Sequence, residues 1–354
     1  MPVKIYIGRD IQDYTQLPGF SHEARGIREI YTILWHKLRH YPNLYAVVAN
    51  PQRTVTGLEL KADAVLISQF GLGIIELKSI PGVIDCRNIN GNWYADRKRI
   101  GAGVYQNPHE QVQDYMRQLR RDLINHNSTW LPGYPDEWEE FKFHTATCFT
   151  HPHAKVTDCQ QAISKYWAGT GLEQWERFSV LSLAGVSAWA TELRFEVNQG
   201  EAYGYTPYSW TTDEVIQVAT KFFGAREWQE LASLVASRQP YGYLTLREHS
   251  RRTKVYELYN ENVVIGRDPH TCQVAVPNHY NSVSRRHACI THVNEGVFVE
   301  DLGSKHGTYL NGQRVKKRAQ LQDGQVIQLC PPEARDKVCI LEFSRWLYVP
   351  PPTM

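Results

Sequence analysis

The chain changes character near residue 255, and this change constrains its fold more than any other feature. Up to that point, helical spacings of apolar residues alternate with short β-like runs. From Val255 to about Trp346, short strands alternate with glycine turns and no helical pattern occurs. A mixed pattern predicts an α/β domain, whereas a succession of short strands predicts a β-sandwich. Because 354 residues suffice for two domains of ordinary size, we expect one domain of each class.

Composition suggests where these domains begin and end. An α/β domain with a helical extension at its end is expected over residues 1–237. Residues 238–254 contain a proline, a glycine and the basic run REHSRRTK, which is typical of a linker between domains. The all-β domain then occupies residues 255–346, and residues 347–354 form a proline-rich tail.

The first domain contains a predicted hairpin that carries three charged residues. Two apolar runs, 62–68 and 73–77, flank a glycine-containing turn, which predicts paired antiparallel strands. Asp63 lies on the first strand, and Glu76 and Lys78 lie on the second. Residues two apart in a strand project to the same side, so Glu76 and Lys78 face together and Asp63 can approach them. Charged groups in apolar strands are costly unless they pair or bind a metal.

This combination points to metal-assisted chemistry on a phosphodiester. Two carboxylates, Asp63 and Glu76, together with a backbone carbonyl suit Mg²⁺ or Mn²⁺, which prefer oxygen ligands. Such an ion can polarise a phosphodiester and lower the pKa of a bound water, while Lys78 can orient that water or stabilise the developing charge. An isolated Glu-x-Lys in a strand is more often a surface charge pair, so the assignment depends on the residues that accompany it.

Two predicted helices supply those accompanying residues. The helix over 107–124 carries Gln111 near its start and Tyr115 one turn later, so the two side chains are expected to lie next to each other on the helix surface. The helix over 21–39 carries Glu23 on the same face as its apolar residues, so Glu23 is expected to point inward as a further carboxylate.

The same segments carry a resemblance to a known family. Gly57 and Asp63 in TGLELKADAVLI, the run GIIELKS, and Asn107-Pro108-x-x-Gln111 resemble the nuclease-related domain (NERD), a branch of the PD-(D/E)xK nuclease-like superfamily. The resemblance implies a restriction-endonuclease-like α/β fold, with nucleic acid as the substrate. Members of the superfamily can be inactive, so a nucleic-acid-binding or scaffold role is the alternative. The catalytic set that the resemblance implies is Asp63, Glu76, Lys78, Gln111 and Glu23, with metal held by Asp63 and Glu76.

The second domain carries an ordered series of short motifs. A phosphate dianion is held by a fixed guanidinium and by short hydroxyl or amide donors. Arg267 follows a glycine that permits a tight turn, so its side chain can project from a loop, and Ser284 offers a hydroxyl. The series consists of Gly266-Arg267, Ser284-Arg285-Arg286-His287-Ala288, Asp301-Leu302-Gly303-Ser304, Gly307-Thr308 and Asn311-Gly312.

This series resembles the forkhead-associated (FHA) domain, a β-sandwich that binds threonine-phosphorylated protein. The resemblance implies that Arg267 and Ser284 hold the phosphate and that Arg285 contacts the peptide beside it. Family members often have Thr-Asn where this chain has Lys305-His306, which predicts an altered peptide preference at this position. The residues that the resemblance makes structural are Gly266, His287, Gly307 and Asn311.

Composition bounds the remaining possibilities. A net charge of +2 is too balanced to argue for nucleic-acid binding from bulk charge. Seven cysteines without a Cys-x-x-Cys pair count against a disulfide framework or a zinc ribbon and favour a reducing compartment. With no signal-peptide-like start and no long apolar run, we expect a cytoplasmic protein without membrane contact. The overall expectation is a Mg²⁺- or Mn²⁺-dependent nuclease recruited or regulated by a threonine-phosphorylated protein, with an inactive phospho-dependent adaptor as the alternative.

Overall fold

In a computed structural model the chain divides into two compact units, Met1–Ala236 and Ser237–Met354. No helix in the part of the chain that the structure describes is long and apolar enough to cross a membrane. The described residues are 3–8, 21–39, 41, 43–130, 142–156, 158–159, 162–163, 176–193, 209–248, 251–332 and 338–346.

The first unit is built on a mixed sheet whose described strands follow the order β12-β10-β6-β5-β2-β1-β13. Its centre is β6, which pairs antiparallel with β5 and parallel with β10. A strand with neighbours on both sides and helices on both faces is buried throughout, which explains why GLGIIELK is almost continuously apolar. The strands are β1 Val3–Ile7, β2 Tyr45–Ala49, β5 Ala64–Ser68, β6 Gly71–Lys78, β10 Lys142–Phe149, β12 Glu176–Ser182 and β13 Arg226–Glu227.

Two long helices cover opposite faces of this sheet. Helix α1, Ser21–Leu38, packs its apolar stripe against the face that carries Ile75 and Leu77. Helix α2, Pro108–Trp130, packs against the other face, on the side of Leu72 and Ile74. The alternation of a strand therefore sends Glu76 and Lys78 to the α2 side. The shorter helices are α3 Val186–Glu192, α4 Thr212–Gln217 and α5 Gln229–Ser237, with a 3₁₀ turn at Leu183–Gly185 and a π turn at Val218–Phe222.

A smaller sheet in the order β11-β7-β8-β9 adjoins the main one, and a two-stranded ribbon joins β3 to β4. Cys86 and Cys159 form a disulfide, which departs from the expectation of reduced cysteines throughout. They follow β7 and β11, and these strands pair in parallel, so tertiary pairing and not sequence spacing brings them together. The strands are β3 Gln52–Arg53, β4 Glu59–Leu60, β7 Gly82–Asp85, β8 Tyr94–Ala95, β9 Lys98–Arg99 and β11 Ala154–Lys155.

The second unit is a sandwich of two sheets around one apolar core. One sheet has the order β15-β14-β24-β23-β20-β21 and the other has the order β17-β16-β18-β19-β22. The strands are β14 Gly242–Glu248, β15 Arg251–Leu258, β16 Asn262–Gly266, β17 Val274–Ala275, β18 Ala288–Val293, β19 Gly296–Asp301, β20 Tyr309–Leu310, β21 Gln313–Arg314, β22 Arg318–Gln320, β23 Val326–Gln328 and β24 Ile340–Ser344.

The structure corrects the predicted linker at residues 238–254. Most of this segment forms the hairpin β14–β15, and β14 also pairs with β24, so the hairpin is part of the sandwich. Leu244 and Leu246 of β14 are buried in its core. A basic run does not by itself indicate a linker, because a strand at the edge of a sheet tolerates charge as readily as a linker does.

Candidate functional sites

In the first unit, strands β5 and β6 separate at the end that carries the charged residues. Their register pairs Ala64 with Ile75, so Asp63 lies opposite Glu76, just beyond the last backbone pair. There a side chain replaces the backbone partner in the hydrogen-bonding pattern of the sheet: Asp63 Oδ2 accepts the backbone N–H of Leu77 at 2.6 Å. This hydrogen bond fixes the Asp63 side chain beside Glu76.

Glu76 and Lys78 form a buried ion pair on the α2 side of the sheet. Lys78 Nζ donates to Glu76 Oε1 at 2.7 Å, and Glu76 is only 5% exposed. The second oxygen, Glu76 Oε2, is buried and has no hydrogen-bond partner among the described residues. A buried carboxylate oxygen without a donor is costly, so this atom marks a place for a cation or a ligand donor.

The position of the partly buried Asp63 beside the buried Glu76 changes how readily the Asp63 carboxyl group ionises. Burial raises the pKa of Asp63 well above its ordinary value, and the neighbouring Glu76 carboxylate adds to the rise, while the Leu77 N–H opposes it. Burial also raises the pKa of Glu76, against the opposing attraction of Lys78. A cation between the two carboxylates would relieve their repulsion and favour the ionised forms.

Helix α2 brings Gln111 and Tyr115 to the same place. Gln111 Nε2 donates to Tyr115 Oη at 3.3 Å and does not reach hydrogen-bond geometry with Glu76 Oε2, although the amide is near enough to lower the pKa of Glu76. Gln111 Oε1 is buried and lacks a donor among the described residues. Burial raises the pKa of Tyr115, and the charges of Glu76 and Asp63 add to the rise.

Asn107 fixes the start of α2. Its Oδ1 caps the helix by accepting the Glu110 N–H at 2.9 Å, and its Nδ2 donates to the carbonyls of Ile89 and Gly91 at 3.0 and 2.7 Å. The helix is thereby tied to the segment that connects β7 to β8 of the small sheet. In the Asn-Pro-x-x-Gln motif, Asn107 therefore anchors the helix, and Gln111 follows one turn later.

Glu23 lies near this site from the other face of the sheet. The residue is partly exposed at the start of α1, and its charge raises the pKa of both Asp63 and Glu76. Helix α1 approaches closely because Gly26 lacks a side chain, since a Cβ there would lie 2.8 Å from Leu77 Cδ1. Helix α1 therefore brings the charge of Glu23 close enough to oppose ionisation of Asp63 and Glu76.

Oxygen atoms of Asp63, Glu76 and Gln111 are the type of ligand that an oxygen-preferring divalent cation requires. No group of three or more His, Cys, Asp or Glu side chains in the described ranges is close enough to hold a metal. The acidic metal ligands would be Asp63 and Glu76, and the buried side-chain oxygen of Gln111 would be an additional, uncharged ligand.

In the second unit, two loops meet at the end of β16. The Arg267 N–H donates to the Ser284 carbonyl at 3.2 Å. The approach requires glycine at position 266, because a Cβ there would lie 2.1 Å from the Arg285 carbonyl oxygen and 2.8 Å from Cys272 Sγ. Gly266 therefore sets the spacing between the two loops.

The side chains of these two loops provide hydrogen-bond donors. Arg267 Nε donates to the Val283 carbonyl, which leaves the two terminal guanidinium nitrogens without a partner among the described residues. Ser284 Oγ accepts the Lys305 N–H at 3.0 Å, so its hydroxyl hydrogen can donate elsewhere. Arg285 and Lys305 are exposed, and His306 is partly exposed.

His287 braces these loops from inside. It is fully buried; its Nδ1 accepts the Ser284 N–H at 3.0 Å, and its Nε2 lies 3.1 Å from the Gly307 carbonyl. A ring nitrogen that accepts one hydrogen bond leaves the other to donate, so the ring is the neutral Nε2–H tautomer. Burial lowers the pKa of His287, which keeps this form.

Comparison with known protein families matches both units. The model of the nuclease-related domain (NERD) matches residues 22–150, and the FHA domain model matches residues 263–330. The chain joins a NERD domain to an FHA domain. This confirms the predicted resemblance and the predicted fold classes, a nuclease-like α/β domain followed by an FHA sandwich.

Individual relatives were found for the FHA domain. An Arabidopsis thaliana homologue of the protein phosphatase 1 regulatory inhibitor subunit PPP1R8 is 42% identical over 55 residues, which cover 15% of this chain and 14% of that protein. The FHA domain of the CT664 protein from Chlamydia trachomatis is 23% identical, covering 30% of this chain and 98% of that one, with a TM-score of 0.26. The N-terminal FHA domain of S. cerevisiae Rad53p, solved with a phosphothreonine peptide, is 19% identical, covering 29% and 92%, with a TM-score of 0.26.

Two further residues, one in each domain, help to form the candidate sites, and their roles were not predicted from the sequence. In the FHA domain, Asp301 accepts hydrogen bonds from the N–H groups of Gly303 and Ser304 and from the Ser304 and Thr308 hydroxyls. Burial opposes ionisation, but these hydrogen bonds outweigh it and lower the pKa of Asp301. Asp301 therefore shapes the loop that carries Lys305, and the local Asp-x-Gly-Ser pattern was its signal.

In the NERD domain the additional residue is Thr147. It lies directly across from Glu76 on β10 in the parallel register, and its side chain projects to the same face. Its hydroxyl is completely buried and has no partner among the described residues. Only the register of β10 against β6 places Thr147 at the site, so no sequence pattern could have identified it.

Proposed function

We propose that the NERD domain is a divalent-cation-dependent nuclease and that the FHA domain recruits or regulates it by binding a threonine-phosphorylated protein. The observation that carries the first half is the arrangement of Asp63, Glu76 and Lys78, with a buried Glu76 oxygen that lacks a donor. An adaptor would have no need for the buried carboxyl group of Glu76 beside the partly buried one of Asp63, because such burial is costly.

The residues of the chain would divide the work as follows. Asp63 and Glu76 would hold Mg²⁺ or Mn²⁺, which when bound polarises a phosphodiester and lowers the pKa of water. The Leu77 N–H orients Asp63, so this ligand is preorganised. Lys78 presents an ammonium group beside Glu76, where it stabilises negative charge that develops on the phosphate. Gln111, near Glu76, positions the attacking water or the phosphate.

The test is cleavage of nucleic acid by the full chain. Single- and double-stranded DNA and RNA are incubated with Mg²⁺, Mn²⁺ or EDTA, and the wild type is compared with Glu76→Gln. We expect metal-dependent cutting that falls by roughly 100-fold or more in the variant. Asp85→Asn, which removes an exposed carboxylate bonded to Arg87, is the matched control and should cut like the wild type.

The outcomes separate the two candidate roles. Metal-dependent cutting that survives Glu76→Gln would show that the site lies elsewhere. If the folded wild type cuts none of the substrates with either metal, the nuclease assignment is wrong and the adaptor role takes its place.

For the FHA domain, the supporting observation is the pair of free guanidinium nitrogens on Arg267 beside the Ser284 hydroxyl. A threonine-phosphorylated peptide library should bind the full chain, and unphosphorylated counterparts should not. Arg267→Ala should abolish that binding, because a neutral side chain cannot balance the phosphate charge. Unchanged affinity in Arg267→Ala would contradict the pocket assignment.

A further inference from the structure

The turn between β21 and β22 carries a concentration of positive charge that the proposed phosphate pocket does not use. Arg314, Lys316, Lys317 and Arg318 fall in the run QRVKKR, which contains no acidic residue. All four are exposed, whereas Val315 between them is buried and holds the turn in place. We call Arg314, Lys316 and Lys317 the basic turn.

Backbone pairing places the basic turn beside the ligand loop, residues 302–307. On one side, β20 and β21 pair Tyr309 with Arg314, and the Val315 N–H donates to the Thr308 carbonyl at 2.8 Å. Because the strands are antiparallel, the chain after Arg314 runs back towards Gly307. The turn thus begins next to one end of the ligand loop.

The other end of the turn meets the other end of that loop. Strands β19 and β22 pair Glu300 with Arg318, and Asp301 at the end of β19 leads directly into residues 302–307. The Arg318 guanidinium lies 3.6 Å from the Phe298 ring centre, so this arginine is held by stacking. The intervening lysines, Lys316 and Lys317, are thereby held alongside the loop.

Arg314 makes the contact between turn and loop direct. Gly307 has a φ of +83°, and a Cβ built on it would lie 3.0 Å from Arg314 Nε, so the guanidinium lies against the loop backbone. Among the described residues, no acidic side chain forms an ion pair with Arg314, Lys316 or Lys317. Unpaired cations next to an anion pocket favour further negative charge through electrostatic complementarity.

We propose that the basic turn, together with Lys305, binds acidic residues that flank the phosphothreonine in the partner protein. The proposal rests on the phosphothreonine binding proposed above and names the chemistry of the partner. Arg267 and Ser284 would recognise the phosphate, and the basic turn would select phosphothreonine sites embedded in Asp- and Glu-rich sequence. Exposed pairs of this kind add little individually, so several acidic residues are needed for a measurable preference.

The experiment measures the affinity of the full chain for three fluorescent peptides. One has phosphothreonine between alanines, the second has phosphothreonine between aspartates and glutamates, and the third is the acidic peptide without phosphate. We expect the acidic phosphopeptide to bind about tenfold more tightly than the alanine one in low salt, since a few exposed ion pairs together amount to such a factor. The preference should decline as salt is added.

The double variant Lys316→Ala/Lys317→Ala should lose this preference and keep its affinity for the alanine-flanked phosphopeptide. The matched control is Arg345→Ala, which removes an exposed cation near His292, at the far end of β18 from the ligand loops. It should retain the preference. Arg267→Ala should lose both phosphopeptides, which separates a failure of the pocket from a failure of the turn.

Four results would overturn the proposal. Equal affinities for the two phosphopeptides in the wild type would refute selection of acidic flanks, and a preference that persists in the double variant would place it elsewhere. If a DNA oligonucleotide binds more tightly than the acidic phosphopeptide and the double variant loses that binding, the turn contacts nucleic acid instead. If neither phosphopeptide binds the wild type, the proposed FHA function fails and the role of the turn fails with it.

Discussion

Replacement of Asn107 tests how the helix that carries Gln111 is held beside Glu76. Asn107 is 1% exposed and uses both ends of its amide, the oxygen as the cap of α2 and the nitrogen as a double donor to Ile89 and Gly91. Serine at this position would keep the cap and lose the two donors. Alanine would lose all three interactions.

The expected losses follow from these contacts. A helix cap contributes about 1 kcal/mol to stability. Each of the two hydrogen bonds from the Asn107 side chain to backbone carbonyls also contributes about 1 kcal/mol. Asn107→Ala should therefore lower the free energy of unfolding of the first unit by roughly 3 kcal/mol, and Asn107→Ser by roughly 2 kcal/mol. The gap of about 1 kcal/mol between the two variants isolates the cap.

Urea unfolding followed by tryptophan fluorescence measures this quantity for the first unit, because every tryptophan except Trp346 lies within residues 1–236. Equal stabilities of the serine and alanine variants would refute the capping role. A serine variant as stable as the wild type would refute the tether to the small sheet. If the tether positions Gln111, nucleic-acid cleavage should also decrease in Asn107→Ser under conditions where the variant is fully folded.

Three further predictions concern titration, loop spacing and cysteine chemistry. Burial lowers the pKa of His109 to about 4, so the unfolded chain binds the proton first and the contribution of His109 to stability should fall by roughly 3 kcal/mol between pH 6.5 and 4. His109→Gln should flatten that part of the stability profile measured by urea unfolding, and an unchanged slope would contradict the assignment. Gly266→Ala should weaken phosphothreonine-peptide binding by about tenfold or more, because the loops that carry Arg267 and Ser284 must move apart. Gly101→Ala, where a Cβ meets nothing within 4 Å, should bind the peptide normally. Mass spectrometry after thiol blocking in denaturant should find five reactive cysteines before reduction, with Cys86 and Cys159 protected, and seven labelled cysteines would contradict the disulfide.

Much of the architecture could be predicted because its signals are local. Two apolar runs, 62–68 and 73–77, on either side of a glycine-containing turn predicted the hairpin, and the structure forms it as β5 and β6. Turn glycines and the spacing of short motifs predicted the FHA sandwich in the same way. The assignments of individual residues to metal binding, catalysis and peptide contact remain predictions, which the experiments above address.

The predicted linker failed for an instructive reason. The segment 238–254 is basic and contains a proline and a glycine, yet most of it forms the hairpin β14–β15. A polar composition indicates only that a segment can be exposed to solvent, and an edge strand of a sandwich is exposed to solvent on one side. The pairing of β14 with β24, nearly 100 residues away in sequence, decides the outcome.

By itself, the sequence determined the two fold classes and the order of the FHA motifs, and it proposed the acidic and basic residues of a candidate NERD site, because periodicity and turn chemistry act over a few neighbouring residues. Only the tertiary structure placed Thr147 across from Glu76, joined Cys86 to Cys159, and set the basic turn against the ligand loop. The positions of Thr147 and of the two cysteines depend on pairing between strands distant in the chain, where a shift of one residue would turn the side chains to the other face. The basic turn depends in addition on the pairing of β22 with β19.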